Sequence, residues 1–102
     1  MTPRQRAMQL LNDFLAMYRL RHGQSTTINK NIAKWAAMDL IDSFGYDECK
    51  RGMEYYFAIS TSHSWNYYAK NCGLLIGNLH AAEKDKHDRA VALERAKRWL
   101  ND

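Results

Sequence analysis

The chain is poor in residues that interrupt helices. Its one proline is at position 3, and its 102 residues include five glycines. Because proline breaks the interior of a helix, its absence after position 3 permits long uninterrupted helices. No stretch approaches the roughly 18 apolar residues of a membrane span. The first residues, MTPRQRAMQLLNDF, also lack the apolar run of a secretory signal, so we expect no membrane partner.

Cysteine is scarce as well. Two residues, Cys49 and Cys72, are too few for the disulfide framework of a small secreted domain, and both fall within helical patterns. Reduced thiols and a cytoplasmic location are therefore expected. The hydrophobic content of 46% and the charged content of 25% are ordinary for a globular protein. The net charge of +4 favours anionic partners, nucleic acid first, although a mildly basic surface explains it equally well.

The stretch from His63 to Leu79 has the clearest helical pattern. Seven of its side chains fall on one side of a helix: Trp65, Tyr68, Ala69, Cys72, Leu75, Ile76 and Leu79. Ser64 precedes them and can cap the helix by accepting a hydrogen bond from a backbone N–H of the first turn. This pattern predicts the central helix of a small helical domain. Gly73 and Gly77, on its other side, favour the close approach of another helix.

Three helices are expected before it. The first begins at Pro3 with Thr2 as its cap and ends before Gly23. The second runs from about Ile28 or Asn29 to Phe44, and the third from Glu48, capped by Asp47, to about Ile59. The inner side of the second is expected to consist of Ile28, Ile32, Trp35, Ala36, Leu40 and Phe44. Asp39 falls on that same side, so it is expected to meet a cation or N–H donors.

After Leu79 the apolar rhythm changes, and a new stripe begins at another angle. Either the chain bends between His80 and Lys86, or one long helix leaves the core and turns a different face to a partner. The sequence thus predicts an all-α fold, a small bundle of four to five helices with a long or bent C-terminal helix. Residues 1–102 form one domain, with a core at about 3–80 and a helical extension at about 83–100.

No set of residues has the pattern of an active site. His80 and His87 are seven residues apart, which is not the close spacing of a zinc-ligand pair, so no metal site is predicted. Ser62, His63 and Ser64 adjoin but project in different directions, and no third group orients them. We therefore expect no cofactor and no enzymatic activity.

Aromatic, amide and basic residues are interleaved at the start of the central helix. Rings stack on unpaired bases, lysines neutralise phosphates and amides bond to either, so these residues are candidates for contacts to nucleic acid. The candidates are Tyr67, Lys70 and Asn71, with Lys84, Lys86, Arg89, Arg95, Lys97 and Arg98 further along. The alternative is that Tyr67 covers an edge of the core. Four acidic residues, Glu83, Asp85, Asp88 and Glu94, also nearly balance the distal cations.

The last stripe supports a different function. An inhibitor or adaptor could present it to another protein, and its members are Leu93, Ala96, Trp99 and Leu100. A homo-oligomer is compatible with this pattern.

The order of elements resembles the C-terminal domain of DnaD-type proteins, which are primosome and helicase-loader components of bacteria and phages. Tyr68, Cys72 and Ile76 occupy the spacing of that family's Tyr-xxx-Ile-xxx-Trp pattern, and Trp65 precedes them. The segment IAKWAAMDLIDSFGYDECKRGMEYYF resembles the two helices before the pattern, so the similarity covers residues 28–79. The resemblance implies a DNA-binding replication accessory of phage type that also contacts a replicative helicase. The extension from His80 onwards would contact DNA.

Overall fold

The computed structural model describes residues 2–101 of the chain, and the side chains from Thr2 to Trp99. Four helices follow one another: α1 (Pro3–His22), α2 (Lys30–Phe44), α3 (Tyr46–Ile59) and α4 (Trp65–Asn101). The expected all-α bundle with a long last helix is confirmed. Of the two alternatives for the C-terminal segment, the structure has the single continuous helix. Within residues 2–101, no helix is both long enough and apolar enough to cross a membrane.

The expected caps of α1 and α4 are present. The Thr2 hydroxyl accepts from the backbone N–H of Gln5, and the Gln5 side chain accepts from the N–H of Thr2 in return. Gly23 ends α1 in the left-handed region at φ 68°, where glycine avoids the strain of a side chain. At the start of α4, the Ser64 hydroxyl accepts from the backbone N–H of Tyr67 at 3.0 Å.

The expected start of α3 is wrong. The helix begins at Tyr46 rather than Glu48, and Asp47 lies inside its first turn instead of capping it. Gly45, at φ 84°, reverses the chain directly between α2 and α3 and leaves no room for a separate cap.

Tyr46 is fixed at the start of α3 because its hydroxyl donates to Asp13 of α1. Burial, and then Asp13, raise the pKa of Tyr46 to about 12.

The core lies where α1, α3 and the first four turns of α4 meet. Phe14 is its centre, with its ring centroid 5.2 Å from that of Phe57 and 5.7 Å from that of Trp65. The predicted inner side of α4 is confirmed, since five of its seven residues are buried and Ala69 and Leu79 are half-buried. The buried side of α3 consists of Cys49, Gly52, Met53, Tyr56 and Phe57.

The predicted inner side of α2 is right in part: Ile28 and Leu40 are half-buried against the core, but Ile32 and Trp35 are not on the inner side. Ala33 and Ala37 are its buried residues, whereas Ile32 and Trp35 are 69% and 61% exposed. The two alanines let the backbone of α2 approach the other helices closely, and the larger residues are turned outward as a result. Asp39 is exposed by the same rotation, so it has no burial cost for a cation to offset.

Two glycines permit close helix contacts. A Cβ on Gly73 would lie 3.1 Å from the Phe44 ring, which supports the packing role expected for Gly73. A Cβ on Gly77 would meet open space, so the same expectation fails there. The closest approach involves Gly52 of α3, where an added Cβ would lie 3.0 Å from the Ile76 side chain. The sequence pattern gives no sign of this contact because Gly52 has no side chain to mark the buried face.

Two histidines join the end of α1 to the loop before α4. His22 Nε2 and His63 Nδ1 are 2.8 Å apart, and one ring donates to the other. The His63 ring is 7% exposed and stacks on Phe57 at 4.1 Å between centroids. Burial lowers the pKa of His63, and the nearby charges of His22 and Arg21 lower it further.

We therefore predict that the fold loses stability in mild acid. The unfolded chain protonates His63 near its ordinary pKa of about 6.5, before the folded protein does. The contribution of His63 is thus complete above that pH and declines as the pH falls toward the lower pKa of the folded state. Urea unfolding at pH 7.5 and pH 5.0 measures this decline. The decline in stability should be smaller in His63→Gln than in the native chain, and it should equal the native decline in the exposed control His87→Gln. An equal decline in the native chain and both variants would contradict the assignment to His63.

Candidate interaction surface

The second half of α4 extends beyond the bundle. Leu79 is half-buried, and from Lys84 to Trp99 every side chain except the half-buried Val91 is exposed. The last ties to the bundle are made by polar groups of α3. His80 Nε2 lies 3.0 Å from a Glu48 oxygen, and Arg51 donates to Glu83. The described chain is consequently elongated, with extents of 63 × 30 × 22 Å.

The composition of this extension explains why it stays helical. Residues 81–100 contain no glycine or proline and five alanines, and most other positions are strong helix formers. An isolated helix of this length is marginal in water because the first turn is costly to form. Here the docked turns of α4 supply that first turn. Arg89 and Asp85, 3.2 Å apart and four residues apart in sequence, add a weak exposed ion pair.

Two tyrosine hydroxyls fix the direction of the extension. Tyr68 of α4 donates to the backbone oxygen of Cys49 at 2.7 Å inside the core. Tyr56 of α3 donates to the backbone oxygen of Ser62 at 3.1 Å and accepts from the N–H of Ser64 at 2.9 Å. These bonds hold both the loop before α4 and its first turns against α3, so the helix leaves the bundle in a set direction.

The extension carries the apolar residues that the sequence analysis assigned to a partner. Trp99 is 86% exposed and Leu93 is 60% exposed, and Ala96 lies between them on the same side of the helix. The side chain of Leu100, the fourth residue of that set, lies outside the described part of the chain. An exposed tryptophan near an exposed leucine is a combination found at binding sites.

The residues expected to contact nucleic acid fall into two separate groups. Tyr67, Lys70 and Asn71 lie together in the first two turns of α4. The Tyr67 ring is 51% exposed and stacks on Tyr56 at 5.4 Å between centroids, and Asn71 donates to the backbone oxygen of Tyr67 at 2.9 Å. Lys84, the first of the second group, is 17 residues after Tyr67, which is about 26 Å along a helix.

The distal cations do not form one stripe. At about 100° per residue, the six side chains from Lys84 to Arg98 point to all sides of the helix axis. Each is exposed, and four exposed carboxylates lie among them. Tyr67 and these cations therefore do not share a single face, and the helix lacks the continuous basic strip that a phosphate backbone would follow.

A second apolar surface, which the sequence interpretation missed, lies between the starts of α2 and α4. A groove of about 560 Å³ is lined there by Ile28, Ile32, Ala36, Trp65, Ala69 and Lys70, among others. It exists because α2 turns its alanines inward and leaves Ile32 at the surface. The signal that could have revealed it is the Ala33–Ala37 pair, whose spacing permits close helix packing.

Comparison with family models, with curated proteins and with solved structures finds no match to this chain. The DnaD resemblance accordingly stays a prediction from the residues that carry it.

We predict that the extension contributes little to folding. Because the described side chains after Glu83 are exposed, apart from the half-buried Val91, a chain ending at Glu83 should unfold cooperatively, with a free energy of unfolding within about 1 kcal/mol of the full chain. Urea unfolding followed by tryptophan fluorescence measures this, at low protein concentration so that association does not add to stability. Loss of the cooperative transition would show instead that residues 84–102 belong to the core.

Proposed function

We propose that the protein is an interaction module that binds other protein surfaces through the extension of α4. The observation that carries this proposal is the exposure of Trp99 and Leu93 on a helix that already projects from a stable bundle. An amphipathic helix laid into an apolar groove is a common mode of protein recognition. Because the extension is helical before binding, it would lose less conformational entropy than a disordered segment.

The charges on the extension indicate the chemistry of its binding surface. Between residues 89 and 98 there are four cations, Arg89, Arg95, Lys97 and Arg98, and one carboxylate, Glu94. A partner surface with an apolar centre and carboxylates at its margin would complement this segment. The apolar centre would cover Trp99 and Leu93, and the margin would govern encounter rate and specificity more than affinity.

Site-specific photo-crosslinking tests this proposal. A benzophenone amino acid at position 93 or 96 should form adducts in cells that produce the protein. The same group at positions 94 and 98, which face away from the apolar side, provides the matched controls and should form several-fold fewer adducts. Mass spectrometry of the adducts identifies the bound chain. Equal yields at all four positions, or no adduct at any, would contradict a directed apolar interface.

A second candidate, nucleic-acid binding, has support from a different place. The half-exposed Tyr67 ring, backed by Tyr56 and one turn from the exposed Lys70, is a suitable surface for stacking an unpaired base. The net charge of +4 would favour such an encounter. A DNA-binding replication accessory that contacts a replicative helicase, as the DnaD resemblance implies, would use this site together with the extension.

A salt titration of binding to a labelled DNA single strand tests this candidate. Affinity should fall as salt rises, since each phosphate contact releases counterions. Tyr67→Ala should weaken binding by about 1–3 kcal/mol, and Lys70→Ala should lower the salt slope by about one contact. Gln9→Ala, an exposed neutral change on α1, is the control and should bind as the native chain does. Absence of binding at low salt would remove the candidate.

A further inference from the structure

One exposed side of α4 has a repeating spacing of three and four residues. We call it the outer stripe, and it consists of Leu74, Asn78, Ala81, Asp85, Arg89, Ala92, Ala96 and Trp99, with Ala82 and Leu93 beside it. All ten side chains are exposed, and the eight of the stripe itself lie away from the side of α4 that enters the core. A stripe built from steps of three and four residues is typical of helices that pair along their length.

The outer stripe is nearly symmetric about position 87. Asp85 and Arg89 are each two residues from this midpoint, and Ala82 and Ala92 are each five residues from it. Leu74 is thirteen residues before it and Trp99 twelve after it. If a second copy runs antiparallel with the midpoints together, Asp85 meets Arg89, Ala82 meets Ala92, and Trp99 meets Leu74. A two-fold axis makes every such contact twice.

Charge selects this orientation over the parallel one. In a parallel pair aligned in register, Asp85 would face Asp85 and Arg89 would face Arg89, which like-charge repulsion disfavours. In the antiparallel pair both positions face opposite charges. Within one chain, Asp85 and Arg89 have side chains 63% and 82% exposed, so their own ion pair gains little. Each can therefore exchange it for a contact with the other copy.

The apolar residues of the outer stripe fit the same arrangement. The alanines at positions 81, 82, 92 and 96 are small enough for two helix axes to approach closely. Leu93 would lie beside Ala82 of the second copy, and Trp99 would cover Leu74, which is 60% exposed in the single chain. α3 contacts α4 through the opposite, buried side at Cys49 and Gly52, and Leu74 stays exposed although Phe44 of α2 lies against the adjacent Gly73.

We propose that the surface bound by the α4 extension is the same extension of a second copy, antiparallel and centred near position 87. This rests on the proposed interaction function and names the partner.

Charge reversal in two separate chains tests the proposal. Asp85→Arg leaves arginines at both positions 85 and 89 of each chain, and Arg89→Asp leaves aspartates at both. In a dimer of either variant these like charges face each other. Each variant alone should therefore dimerise at least about tenfold more weakly than the native chain. A mixture of the two should associate within about threefold of native, since each chain then opposes the other's charge. The intrachain ion pair stays broken in both variants, so recovered helix stability cannot explain a rescue. Glu94→Arg, on another side of the helix, is the control and should dimerise as native.

Sedimentation equilibrium provides the dimer constants, and disulfide formation checks the register. Cys49 and Cys72 are buried, so new cysteines on the extension should react selectively. Ala82→Cys mixed with Ala92→Cys should form an interchain disulfide. Either variant alone should not, because its two cysteines would be about 15 Å apart along the axis. Self-crosslinking of Ala82→Cys would instead indicate a parallel pair and overturn the proposal.

Three other results overturn it: a monomeric native chain, single variants that dimerise like the native chain, or a mixture without rescue. If photo-crosslinks at positions 93 and 96 then attach a different protein, the interaction function stands and self-association alone fails. If those positions also form no adduct, both fail.

Discussion

The structure depends on a mismatch of lengths. α4 has 37 residues, about 55 Å of helix, whereas its main neighbour α3 has 14 residues, about 21 Å. A bundle built on α3 can bury only the first part of α4, and the remainder has to extend into solvent. The exposure of Leu93 and Trp99 follows from this constraint, and so does the elongated shape of the described chain.

An extension is useful for recognition only if its base is rigid, and the core supplies that rigidity. Phe14 packs edge-on against both Phe57 and Trp65, which joins α1, α3 and the first turn of α4 in one aromatic cluster. The Tyr68 hydroxyl bonds to the α3 backbone inside this cluster. Polar ties from Arg51 and Glu48 then support α4 where it leaves the bundle. The extension thus presents its apolar side in a fixed direction.

The sequence could predict the fold better than the surfaces. The inner side of α4 was predictable because Trp65, Tyr68 and Cys72 recur at helical steps with no competing apolar stripe. In α2 the largest residues, Ile32 and Trp35, indicated the wrong side, since close packing at Ala33 and Ala37 outweighed their burial. The stripe containing Leu93 and Trp99 was visible in the sequence. Whether this stripe faces the bundle or solvent depends on whether α4 continues without a bend through His80–Lys86. Helical spacing alone does not determine whether the helix continues there.

Charge and apolar area have different roles on the extension. Its six cations surround the helix axis and four carboxylates lie among them, so at a distance the extension has only a weak, diffuse positive field whose strength falls with salt. A diffuse field can accelerate encounter with any acidic surface, but it cannot fix an orientation. Orientation requires a contact that one geometry satisfies and others do not, and the outer stripe supplies it through Asp85 and Arg89, flanked by Leu74 and Trp99. In the proposed self-association, specificity would therefore depend on the order of charges along one side of α4, and the net charge would affect mainly the rate.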